Sequence, residues 1–147
     1  MDYRNIFAIS ATGMNAEKFR LDVAAANLAN MNSVAEKGQT GYQVQRVKLS
    51  ESRQNFATRF EQAFNVQLNG VQITGTESLQ ASPRKVYEPG HPQADEQGYI
   101  QKPGVNHLQE MLTVNEAIRA YEANVVAMNS AKRMCLKALE IGGGNGA

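Results

Sequence analysis

The chain has 147 residues, a formal charge of +1 and an apolar content of 42 %, enough for one ordinary domain or for a small domain plus a helical pair. Acidic and basic residues are interspersed, so there is no one-signed stripe of the kind that marks a nucleic-acid or anionic-membrane surface. One cysteine excludes an internal disulfide, and no run approaches the roughly 20 apolar residues of a membrane helix.

The N-terminal stretch MDYRNIFAISATGMN carries Asp2 and no sustained apolar segment. It is not a Sec signal peptide, and on that ground alone the expected compartment is the cytoplasm. From about Tyr3 to Asn32 the chain is rich in alanine, lacks proline and holds one glycine, Gly13, which predicts a long helix. Phe7, Met14, Leu21 and Leu28 recur every seven residues, with Ala24 and Met31 between them, and they form an apolar stripe.

Residues 33–41 read as loop, broken at Gly38 and Gly41. Tyr42–Leu49 reads as a strand whose alternation changes phase: Tyr42 and Val44 point one way, and Val47 and Leu49 resume the other. A bulge would reconcile the two phases. Phe56, Phe60 and Phe64 stand four apart, which favours a short amphipathic helix within 52–65. Asn69-Gly70, flanked by Val66, Leu68, Val71 and Ile73, is a hairpin signal, because a type I′ turn needs positive φ at both central residues. All four prolines and three glycines fall in 80–105, an irregular connector with short strands near Val86-Tyr87 and Tyr99-Gln101.

The last helix is predicted to start near Asn106, a capping residue with Gln109 at the capping-box position. It runs without Gly or Pro to Gly142. Met111, Val114, Ile118, Tyr121, Val125, Met128, Lys132, Cys135 and Leu139 keep a 3-4 spacing along it, apolar except for Lys132. The expected fold is therefore α+β: long N- and C-terminal helices pairing as a coiled coil, with a small β-rich middle domain. The expected organisation is a discontinuous helical domain (1–32 plus 106–141), a middle domain (33–105) and a flexible tail (142–147). Both helices carry further rows of small or apolar residues, such as Ile9, Ala16 and Val23, or Ala120, Ala127, Met134 and Ile141. Helices apolar around much of their circumference are usually buried among several neighbours. A monomeric helical hairpin packed on the β middle is the plainer alternative.

No residue set points to catalysis, a cofactor or a metal. His91 and His107 lack a second ligand at metal spacing. Asp95 and Glu96 are adjacent in a loop, where carboxylates more often hold a turn than move protons. Cys135 lies in the apolar stripe and reads as a buried thiol. Asn27 and Asn30, at the end of the first helix, are placed either to cap backbone groups or to bond a neighbouring subunit.

Leu21-Asp22-Val23-Ala24-Ala25-Ala26-Asn27-Leu28-Ala29-Asn30, followed by Thr40-Gly41-Tyr42, resembles the N-terminal signature of the bacterial flagellar axial proteins, the rod, hook and hook-filament junction family. The spacer Val34–Gln39 is typical of the proximal-rod branch. Val86–Ile100 looks like the stretch preceding the last helix in that branch, and Glu110-Met111 with Arg119-Ala120-Tyr121-Glu122-Ala123-Asn124-Val125 resembles the C-terminal rod signature. The basic run that often follows the Tyr in that branch is diluted here to Gln43-Val44-Gln45-Arg46.

The resemblance implies a non-enzymatic subunit of the proximal rod. Such subunits polymerise helically with other rod proteins into the drive shaft that crosses the periplasm, transmits torque and encloses the export channel. Its implied partners are copies of itself, other rod proteins, the MS-ring and export-gate adaptor proteins at the base, and the flagellar type III export apparatus. That apparatus would export the subunit without a cleaved signal peptide. No nucleic acid, membrane insertion or cofactor is implied. Subunit contacts are expected at Phe7, Met14, Leu21, Asn27, Leu28, Asn30, Met111, Ile118, Tyr121, Val125 and Met128. From pattern alone, a soluble coiled-coil adaptor or export-linked chaperone is the competing reading.

Overall fold

The computed structural model describes residues 3–36, 39, 41–51 and 70–143. Helix α1 spans Tyr3–Asn30, strand β1 Val44–Glu51, β2 Val71–Leu79, β3 Arg84–Tyr87, β4 Tyr99–Lys102, and helix α2 His107–Gly143. The helix expected within 52–65 and the first arm of the Asn69-Gly70 hairpin lie outside the described residues; Val71 and Ile73 open β2.

Local chemistry sets the element ends. α1 stops where Ser33 donates from both its N–H (3.1 Å) and its hydroxyl (2.8 Å) to the Asn30 carbonyl, occupying one of the acceptors that a helix C-terminus leaves open. α2 starts where Asn106 Oδ1 accepts from the N–H groups of Leu108 (3.1 Å) and Gln109 (3.3 Å), the N-cap arrangement. With 37 residues α2 is about 55 Å long.

The strands form two two-stranded sheets, β1–β2 and β3–β4. Side chains meet across the first as Gln45 with Ser78, Lys48 with Glu77, and Ser50 with Thr74. Residue numbers fall on β2 as they rise on β1, so the pair is antiparallel. β3–β4 is antiparallel with Arg84 opposite Lys102 and Tyr87 opposite Tyr99.

The chain divides into two compact units, one made of Met1–Lys18, Leu49–Thr74 and Ile118–Ala147, the other of Phe19–Lys48 and Gly75–Ala117. In the first unit Ser10, Ala16 and Ala131 are buried. Thr12 Oγ1 donates to Ile9 O (2.8 Å) and accepts from Val71 N–H (3.3 Å), tying α1 to the start of β2. Gly13 lies under Asn124 of α2: a Cβ there would stand 3.0 Å from both Nδ2 and Oδ1 of that side chain. A glycine in mid-helix is thus explained by close approach.

In the second unit Ala24, Val44, Ile100 and Ala117 are buried. The β3–β4 loop is folded on Asp95, whose Oδ1 accepts from Gln97 N–H (2.9 Å) and Tyr99 N–H (2.8 Å). Gly98 closes the loop at φ +80°, where a side chain would run into Tyr87 and Pro89. Tyr87 and Tyr99 pack edge to face, ring centres 5.2 Å apart. Lys102 Nζ meets Glu88 Oε1 at 3.0 Å, and Ala35 N–H donates to Gln101 O (3.2 Å), laying the loop after α1 along β4.

The class is α+β, but the coiled-coil pairing expected from the apolar stripes is not what the described residues show. Of the α2 stripe, Met111, Ile118, Tyr121 and Leu139 are exposed, Leu139 by 66 %, and Val114, Val125, Met128 and Cys135 are only half-buried. On α1, Phe7, Met14, Leu21 and Leu28 are half-buried, and of that stripe only the small Ala24 is fully enclosed. Among the described residues, the fully buried helical ones are Ser10, Ala16, Ala24, Asn27, Glu110, Ala117 and Ala131. Small side chains allow close backbone approach, and hydrogen-bonded polar groups lose little on burial. The described strands between the helices make up two small sheets.

Replacing a helix-interior glycine by alanine ordinarily stabilises by roughly 1 kcal/mol. Because of Asn124, Gly13→Ala should instead cost about 1 kcal/mol, and in an Asn124→Ala background it should recover the ordinary gain. Urea unfolding of the four chains of this cycle is the check.

Candidate functional site

One cluster in the second unit concentrates the buried polar groups. It draws Asn27 from the last turns of α1, Tyr42, Gln45 and Arg46 from the entry and start of β1, and Glu110 from the first turn of α2. Asn27 is fully enclosed, at 0 % exposure, and its carboxamide uses its whole bonding capacity. Oδ1 accepts from Gln45 N–H (2.9 Å) and from the Tyr42 hydroxyl (2.8 Å). Nδ2 donates to Gln45 O (2.9 Å) and to Glu110 Oε2 (3.0 Å). Taking both main-chain groups of one residue is what a neighbouring antiparallel strand does, so a side chain of α1 stands where a ladder partner would.

Glu110 has a side chain 1 % exposed and is gripped by a guanidinium fork. Arg46 Nη1 donates to Oε2 (2.9 Å). Arg46 Nη2 stands 2.6 Å from Oε1, an ion-pair contact outside hydrogen-bond angles. A carboxylate in the first turn of a helix also faces the positive end of the helix dipole. The Arg46 guanidinium is held further above its already high ordinary value, chiefly by its hydrogen bond to Glu110, with burial opposing. Burial first, and the Glu110 charge second, push the Tyr42 phenol above its ordinary value. Nearby, Arg20 Nη2 lies 3.7 Å from Glu116 Oε2.

Apart from Glu110 Oε1, which has the Arg46 ion-pair contact and no hydrogen bond, these groups satisfy one another, which makes the cluster architectural. Asp95 holds a turn, as loop carboxylates commonly do, and His91 Nδ1 accepts from Gln93 N–H (3.2 Å). Among the described residues no group of three or more His, Cys, Asp or Glu is placed to hold a metal ion, and no helix is long and apolar enough to cross a membrane.

Of the residues expected to touch neighbouring subunits, Asn27 is internal. Asn30 donates to Ala26 O of its own helix (2.8 Å). Phe7, Met14, Leu21, Leu28, Val125 and Met128 are half-buried, and Met111, Ile118 and Tyr121 are exposed. Sequence reasoning missed Gln45 and Glu110 as partners of Asn27 and Arg46 as the partner of Glu110, and it read Tyr42 only as a strand residue and for likeness. One signal was present: Glu110, Ala117, Asn124 and Ala131 recur every seven residues beside the apolar stripe, and this small-and-polar row is the one that faces inward.

Comparison with known proteins agrees with the resemblance. Residues 7–35 match the family described as flagella basal body rod protein, and residues 96–141 the C-terminal family of flagellar basal body rod FlgEFG proteins. The chain is 38 % identical to the flagellar basal-body rod protein FlgC of Bacillus subtilis, over 91 % of this chain and 94 % of that one. It is 36 % identical to FlgC of Salmonella typhimurium (94 % and 96 % covered) and 31 % identical to FlgC of Aquifex aeolicus (95 % and 97 %).

Asn27→Ala strips partners from Gln45 and Glu110 and should cost about 3 kcal/mol in chemical denaturation. Asn30→Ala, which loses an exposed bond within its own helix, should stay within about 0.5 kcal/mol.

A phenol whose pKa is raised on folding adds stability that is complete below its unfolded value, about 10, and is lost as pH rises through the folded value. The tyrosinate absorbance assigned to Tyr42, by difference against Tyr42→Phe, should therefore titrate late. Glu110→Gln should move it back toward, but not fully to, the ordinary value, since burial remains.

Proposed function

The chain belongs to the FlgC family of flagellar basal-body rod proteins, and from that premise we propose that it assembles with copies of itself and with other rod proteins through the apolar residues that α2 leaves uncovered. It is a structural subunit of the flagellar basal-body rod, which sets aside the adaptor and chaperone readings. The observation that carries the proposal is the size of the uncovered apolar set. Leu108 is 69 % exposed, Val126 61 % and Ile118 40 %, and Leu112, Met134, Leu136, Leu139 and Ile141 are exposed on the same helix. Apolar surface on this scale, in a subunit built for polymerisation, is surface awaiting a neighbour.

In this reading Met111, Ile118 and Tyr121 touch neighbouring subunits directly. Phe7, Met14, Leu21, Leu28, Val125 and Met128 contribute their uncovered parts. Asn27 and Asn30 act indirectly, by fixing the end of α1. Assembly into a helical shaft would give the subunit its part in transmitting torque and enclosing the export channel. Delivery by the flagellar type III apparatus would need no cleaved signal, and the basal adaptor proteins would be neighbours at the foot of the shaft. No catalytic step enters the proposal.

Ile118→Asp places a carboxylate on an already exposed position, so the fold should survive while a dry contact cannot form around the charge. In a strain lacking its own copy, the variant should leave cells non-motile and basal bodies without a complete rod by electron microscopy. Its circular dichroism in isolation should match the unsubstituted chain. Normal swimming with complete rods would remove the exposed face of α2 from the interface.

A further inference from the structure

The apolar pattern of β1 does not fix where that strand sits. Of its eight residues only Val44 is buried, and its alternation changes phase between Val44 and Val47. A strand with one enclosed side chain has a weakly specified register, and a slip of one residue would turn every side chain over. The helical surfaces beside it offer little correction. The enclosed apolar residues of the helices in this unit are Ala24 and Ala117, whose methyl groups have no shape to arrest a slide. A second carboxamide, Asn30, stands three residues along α1 from Asn27 and can offer the same donor and acceptor.

Against this background the bonds of Asn27 are selective. Both main-chain groups of Gln45 are taken by one side chain, and the next residue, Arg46, is forked onto Glu110 of α2. We infer that Asn27, Arg46 and Glu110 form a register lock, which selects one seating of β1 on the two helices and is not the source of that unit's stability. Desolvating a buried ion pair commonly offsets its attraction, so replacing every partner by apolar groups of similar volume is often neutral or stabilising, whereas removing one partner is costly. An open groove of about 220 Å³ between Arg20, Val23, Gln45, Arg46 and Thr113 lets water reach the Gln45 main chain if Asn27 is absent, and half-buried Tyr42 can turn to solvent.

The test is the full chain carrying Asn27→Leu, Arg46→Met and Glu110→Leu together, followed by thermal unfolding and by amide resonances of Gln43–Lys48. The expected result is cooperative unfolding within about 5 °C of the unsubstituted chain, or above it, with at least two sets of resonances for that segment where the unsubstituted chain gives one. Failure of the triple variant to fold would make the cluster a source of stability and overturn the inference. A folded variant with a single, unshifted set of cross-strand contacts would overturn it equally, as would two sets already present in the unsubstituted chain.

Discussion

The carboxamide of Asn27 is the constraint on which the second unit depends. It is fully enclosed, its four hydrogen bonds are all made inside the protein, and each partner comes from a different function of the chain. Gln45 begins a strand, Tyr42 ends the incoming loop, and Glu110 opens a helix. A buried amide that lost these bonds would pay its full desolvation. Displacing any one of the three segments therefore penalises the other two.

The same economy explains why the apolar stripes face where they do. Inside each unit the helices bury alanine, serine, asparagine and glutamate, residues that permit close approach or can be saturated by hydrogen bonds. Larger side chains such as Leu108, Val126 and Leu139 are left outside. For an isolated globule that distribution is costly. On the proposed assembly, it keeps the strongest non-directional attraction free for association and assigns directional bonding to the fold within one chain. The cost of ordering the subunit and the gain from docking it would then rest on separate sets of residues.

Much of the fold was legible because it follows from local chemistry. The span of α1, the Asn106 cap of α2 and the short strands at Val86-Tyr87 and Tyr99-Gln101 all obey propensity, capping and breaker rules that act within a few residues. The inner face of the helices was not legible, because periodicity counts large apolar residues and cannot tell a surface buried at home from one buried against a neighbour. Glu110 entered only as part of the C-terminal likeness. Only the seating of Arg46 and Asn27 on it, 64 and 83 residues away in sequence, gives it a role. The phase change in β1 was visible; the bonds from Asn27 to the Gln45 main chain were not, because they come from a helix, outside any strand pattern.

Residue-resolved hydrogen exchange at the Gln45 amide tests the central claim most directly. That N–H donates to the side chain of Asn27. If the carboxamide fixes the seating of β1, the Gln45 proton should exchange only by global opening of the unit, as slowly as the amides of buried Ile100 and of Glu110. Exchange at the rate of an exposed strand end such as Ser50 would show that Asn27 decorates the fold without constraining it.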